Sequence, residues 1–163
     1  MRKSVGEKYQ TVGLCGSFRK HLDVVSGAHR QFTDSGFEVL APTVMGEVSN
    51  PDDDFVLFES DDSDDPLELE GRYQELLLES DAVYVCNPEG YIGGSVMMEL
   101  GRLAGRAEVY FMEIPQEPVV REMAKDSVVS AEDFIKYMKL HNEVFWWRDW
   151  PDDGKLQQNN FGF

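Results

Sequence analysis

Two rhythms alternate along the chain: short unbroken apolar runs, and apolar positions that recur every three or four residues. The runs at 11–15 (TVGLC), 37–41, 82–86 (AVYVC) and 108–113 are rich in β-branched and aromatic residues and read as buried strands. Between them lie helical stripes: Leu22, Val25, Ala28 and Phe32; Leu69, Tyr73, Leu76 and Leu77; Val96, Leu100, Leu103 and Ala107; and Phe134, Ile135, Met138 and His141. Punctuation agrees with this division. Gly36 ends the first helix and Pro42 stops the second strand. Asp65-Pro66-Leu67-Glu68 starts the second helix, with Asp as cap, Pro at the first helical position and Glu at the third. A short helix over 118–124, a weak strand at 127–129 and a Ser130 cap before the last helix complete the series.

Strands alternating with helices predict an α/β fold with a parallel sheet covered on both faces. The expected form is flavodoxin-like (Rossmann-like), with five parallel strands in the order 2-1-3-4-5 and helices on both faces. No repeat or linker interrupts it, so residues 1–163 read as one domain. Its core spans about 11–141, with an acidic insertion at about 50–65 and an aromatic tail over 144–163 that begins VFWWRDW. In such a sheet, ligands gather at the carboxyl ends of strands one and three, where the strand order reverses.

Both of those ends are glycine-bearing turns. Gly16, Ser17, Phe18 and Arg19 follow the first strand. A helix start offers free amides and Arg19 a cation, which suits a phosphate or carboxylate; a plain β–α turn with Ser17 as cap is the alternative. Asn87 to Gly94 follows the third strand, with Tyr91 placed to stack on a ring and Gly93, Gly94 and Ser95 forming a second anion nest. Either Ser95 or Gly94 is the expected cap of the next helix. Glu99 falls on that helix's inward stripe, where a carboxylate is costly unless paired, hydrated or used. Near a helix start it is expected to be ionised, as a nucleophile or an electrostatic stabiliser. A structural salt bridge to Arg102 or Arg19 is the competing reading. Asp81, at the amino end of its strand, reads as an anchor.

Composition narrows the partners. The net charge of −16 opposes binding to a nucleic-acid polymer but not to a single nucleotide. Eight acidic residues lie between Asp52 and Asp65, interleaved with Phe55, Val56, Leu57 and Phe58. Such a cluster must pack on something, either as a lid over the site or against a second subunit. It lacks calcium-loop spacing, and the histidines and cysteines lack metal spacing, so no metal and no cofactor are expected. Cys15 and Cys86 read as buried free thiols, close together if their strands are neighbours. No apolar stretch is long enough to cross a membrane and the amino terminus lacks a signal-peptide core, so a cytoplasmic protein is the default.

Three segments carry a family resemblance: GLCGSFRK from Gly13, SDAVYVCNPEGYIGGS from Ser80, and MELGRLAGR from Met98. Together they resemble the nucleoside 2-deoxyribosyltransferase family and its nucleoside 5′-monophosphate N-glycosidase relatives, over about residues 11–129. In that family the first turn contacts the sugar or phosphate, and the Glu of the E-L-G-x-A element is the nucleophile. Glu99 matches that Glu, and Gly101 and Ala104 keep the pattern. The resemblance implies N-glycosidic cleavage through a glycosyl-enzyme intermediate in a homodimer or larger assembly. Transferase members hold the sugar with an Asp about six residues before the Glu, where this chain has Gly93. That departure leans toward the monophosphate branch, in which a Ser at a position like Ser95 touches the phosphate. It also fits a protein that binds a nucleotide as a sensor or regulator without turning it over.

Overall fold

The apolar runs become four parallel strands, with the second in chain order at one edge of the sheet, followed by the first, the third and the fourth. The computed structural model describes residues 8–148, with side chains through residue 143. In chain order the elements are β1 (Thr11–Gly16), α1 (Phe18–Asp34), β2 (Glu38–Ala41), α2 (Pro66–Glu79), β3 (Ala82–Cys86), α3 (Gly94–Leu103), β4 (Val109–Phe111), α4 (Pro118–Met123) and α5 (Ala131–Arg148). The tail expected over 144–163 has its side chains outside the described residues.

The expected fifth strand is corrected to a single parallel bridge between Phe111 and Val128. Phe111 N–H donates to the Ser127 carbonyl and Val129 N–H to the Phe111 carbonyl, both at 2.8 Å. The segment cannot lengthen into a ladder because it is pinned at both ends. Ser127 N–H closes the turn after α4 on the Ala124 carbonyl, and Ser130 Oγ already accepts the Asp133 N–H at the start of α5.

Alternation along the strands divides the core in two. Leu14, Tyr84 and Tyr110 pack with Val25 and Phe32 of α1 and with Phe134 and Met138 of α5. Cys15, Val83, Val85 and Phe111 face the other way, onto Leu77, Val96, Leu100 and Val120 of α2, α3 and α4. β1 and β3 are neighbours, as the cysteine argument requires, but Cys15 pairs in register with Val85 while Cys86 pairs with Gly16. The two thiols therefore belong to opposite cores, and both are free.

Anchors sit where the sequence placed them. Asp81 accepts the Gln10 and Thr11 N–H groups at 2.7 and 2.9 Å, and Thr11 Oγ1 accepts the Asp81 N–H in return. Asp65 caps α2 through the Leu67 N–H, with Pro66 behind it. α3 is shorter than its apolar pattern predicted. Gly105 turns the chain at φ +71°, so Ala107 lies beyond the helix on the approach to β4.

Candidate functional site

A cavity of about 560 Å³ opens at the carboxyl ends of the strands, where β1 and β3 separate their connections to opposite faces. Its volume lies within the roughly 300–1,000 Å³ of small-molecule sites. The floor comes from Gly16 at the end of β1 and from Val96 and Glu99 of α3; Glu70 and Tyr73 of α2 form one wall. Gly16 is required by space. A Cβ there would lie 2.6 Å from Val25 Cγ2 and 3.2 Å from the Cys86 carbonyl oxygen.

Glu99 is the buried acid of this floor, only 4% exposed. Among the described residues, its Oε2 has no hydrogen-bond partner. The Cys15 thiol hydrogen-bonds the carboxyl group and favours its charged form, but burial outweighs that bond, and the Glu70 carboxylate adds to the effect. The result is a pKa raised from the ordinary 4.5 to about 8. The expectation of an ionised carboxylate is corrected: near neutral pH the group is largely protonated. Glu99 is the sixth residue of α3, and the favourable helix-end potential fades beyond the first turn, so desolvation decides. In return, burial and Glu99 push the Cys15 thiol and the Tyr73 phenol up. The Tyr73 hydroxyl donates to the Leu14 carbonyl, tying α2 to β1 beside this group.

Neither cation considered as a partner for Glu99 reaches it. Arg19 pairs with Asp54 at 2.6 Å, and Arg102 pairs with Glu75 and Gln74. Asp54 belongs to the acidic insertion, which folds over the cavity. Asn50 organises that strap. Its Oδ1 accepts the Leu57 N–H at 2.6 Å and its Nδ2 donates to the Phe55 carbonyl at 2.6 Å, while Val48 bridges Phe58. Phe58 is buried edge-on against the Phe18 ring, and Phe18 in turn meets Tyr73 edge-on. Phe55, Val56 and Phe58 of the insertion thus line the cavity, together with its Asp54, Asp61 and Asp62. Arg72, the other arginine lining the cavity, pairs with Asp62 and Glu68.

The predicted residues converge with one exception. Gly16, Ser17, Phe18, Arg19, Tyr91, Gly93, Gly94, Ser95 and Glu99 all line the cavity. Asn87 does not. It is fully buried, and its amide donates to the Glu113 carbonyl at 2.8 Å and accepts the Glu113 N–H at 3.0 Å, bracing the turn after β3 against the end of β4. Ser17 caps α1 through the Lys20 N–H, and Phe18 is the first residue of that helix rather than part of the turn. Gly93, not Ser95 or Gly94, is the cap residue of α3, without a side-chain bond; Ser95 is exposed at the mouth. Lys20 Nζ stands 4.0 Å over the Tyr91 ring. The sequence reading missed Glu70, Tyr73 and Cys15 as neighbours of Glu99. Tyr73 was on the inward stripe and Glu70 lies one helical turn before it, but the partner of that face was not legible.

Among the described residues, no group of three or more His, Cys, Asp or Glu is placed to hold a metal ion, and no helix is long and apolar enough to cross a membrane. No family model, curated protein or solved structure matches the chain.

Proposed function

We propose that the protein cleaves or transfers the N-glycosidic bond of a nucleoside or nucleoside 5′-monophosphate, on a flavodoxin-like fold, as the resemblance to the deoxyribosyltransferase and N-glycosidase families implies. The observation that carries this reading is Glu99: a buried carboxyl group with an unpartnered oxygen, on the floor of the cavity at the switch point of the sheet. In its ionised form Glu99 attacks C1′ as positive charge develops on the sugar ring, and water or a second base resolves the ester. Phe18 and Tyr91 line the space assigned to sugar and base, and Ser17 and Arg19, at the start of α1, line the part assigned to a 5′-substituent. No cofactor takes part in this scheme. Met97 and Met98, exposed on α3 beside Ser95, offer apolar surface for the homo-oligomer that the resemblance implies.

The test is base release, followed by liquid chromatography, from a panel of nucleosides and 5′-monophosphates, with wild type beside Glu99→Ala. Release by wild type alone supports the reading. A folded wild type that releases no base, with or without an acceptor base, overturns it. Binding without turnover would instead assign a nucleotide-binding sensor or regulator, a reading that Gly93, standing where transferases carry an Asp, also permits.

A further inference from the structure

The cavity's charge bears on which N-glycoside it takes. Among the described residues, Asp54, Asp61, Asp62 and Glu70 line it above the largely protonated Glu99, against the two cations Arg19 and Arg72. Both cations are already engaged, Arg19 by Asp54 and Arg72 by Asp62 and Glu68. A 5′-phosphate entering here has to displace Asp54 from Arg19 and sit among like charges. Clefts lined by one sign of charge concentrate ligands of the other. Acidic residues alone would show only a solvated rim. At the cavity floor, the buried Oε2 of Glu99 adds a polar atom that none of the described residues satisfies. Aromatic rings complete the lining, with Phe55 on the strap and, on the opposite turn, Tyr91, over which Lys20 Nζ already stands at 4.0 Å as a cation would, and such faces favour flat cations.

From this juxtaposition we infer that the cavity takes an N-glycoside whose base is itself a heteroaromatic cation and whose sugar carries no 5′-phosphate, such as an N-ribosylpyridinium or an N7-alkylated purine nucleoside. The inference rests on the N-glycosidase reading and narrows its substrate class.

The chemistry is self-consistent. A neutral base leaves readily only if a proton reaches it. A cationic base needs none, because the C1′–N bond breaks with its electron pair returning to the ring nitrogen, cancelling the charge. One carboxylate oxygen of Glu99 bonds to C1′ as the base departs. Water then displaces that carboxylate from C1′, giving the free sugar and one proton to solvent. A cation beside Glu99 also favours the ionised form that the attack requires, so the substrate itself promotes loss of the proton that burial retains.

Matched pairs test the assignment on the full chain: nicotinamide riboside against its 5′-monophosphate, and 7-methylguanosine against guanosine. Affinity is read by calorimetry at low and high salt, and base release by chromatography. The expected result is at least tenfold tighter binding of nicotinamide riboside than of its phosphate, and of 7-methylguanosine than of guanosine. Both preferences should shrink as salt rises. The variant Glu70→Gln/Asp61→Asn, which keeps acceptors for Gln74 and for the Phe58 N–H, should lower the preference several-fold in a protein of unchanged thermal stability. Equal or tighter binding of the phosphate or of the neutral nucleoside overturns the inference, even if base is released from them and the N-glycosidase reading survives. Cation preference without base release supports the charge assignment and overturns the N-glycosidase reading. No binding by any of the four overturns the inference as well.

Discussion

Replacing Glu99 by Gln isolates the energetic cost of the carboxyl group at the centre of the cavity. Gln matches its shape and removes only the titration. In the folded protein the Glu99 pKa is about 8, against 4.5 for an ordinary glutamate, so between those values the native state holds a proton that the unfolded chain gives up. Stability is therefore highest below the unfolded value and falls as pH rises toward the folded one. At about 1.4 kcal/mol per pKa unit, the penalty is about 1 kcal/mol at about pH 5.5, about 3 at pH 7 and about 4–5 at about pH 8.5. Glu99→Gln escapes it. Urea unfolding of both proteins at about pH 5.5 and about pH 8.5 should show the variant gaining about 3 kcal/mol on wild type between the two conditions, while base release is lost at both. The groups around Glu99 sharpen the test, because Cys15 and Tyr73 have pKa values pushed up by burial and remain protonated across this range. An unchanged difference between variant and wild type at the two pH values would refute the claim that desolvation governs this site.

Four further outcomes follow from the same contacts. Asp54→Asn frees Arg19 from an exposed ion pair, so it should change unfolding stability by less than about 1 kcal/mol while tightening binding of 5′-monophosphates measured by calorimetry. Asn87→Ala leaves the Glu113 N–H and carbonyl unpaired and should cost about 1–3 kcal/mol in denaturant unfolding, a loss that a purely ligand-binding role would not produce. Gly90→Ala puts a Cβ 2.3 Å from the Ile114 carbonyl oxygen at φ +75°; a fall in melting temperature is expected, and an unchanged one would contradict the geometry. Phe134→Ala removes the ring that contacts Tyr84 and Tyr110 and should cost about 3–5 kcal/mol, read from the urea midpoint.

The sequence by itself determined the element series, the parallel sheet and the two turns that meet at its carboxyl edge. These are local matters. Apolar period separates strand from helix, and Asp65-Pro66, Gly36 and Ser130 mark boundaries through capping chemistry that needs no distant partner. Asp81 was legible as an anchor for the same reason: its position at the amino end of a strand set its role. What only the tertiary structure decided were relations between segments distant in the chain. The fifth strand failed because its length was set by the turn after α4 and the cap of α5. Glu99 lost its expected charge because the depth of burial depends on how α2 and β1 close around it, and desolvation there exceeds the helix-end potential. Arg19 went to Asp54 because the acidic insertion folds back over the cavity, which its hydrophobic spacing allowed but did not specify. Local propensity is written in neighbouring residues, whereas burial and charge pairing are set by what the rest of the chain brings alongside.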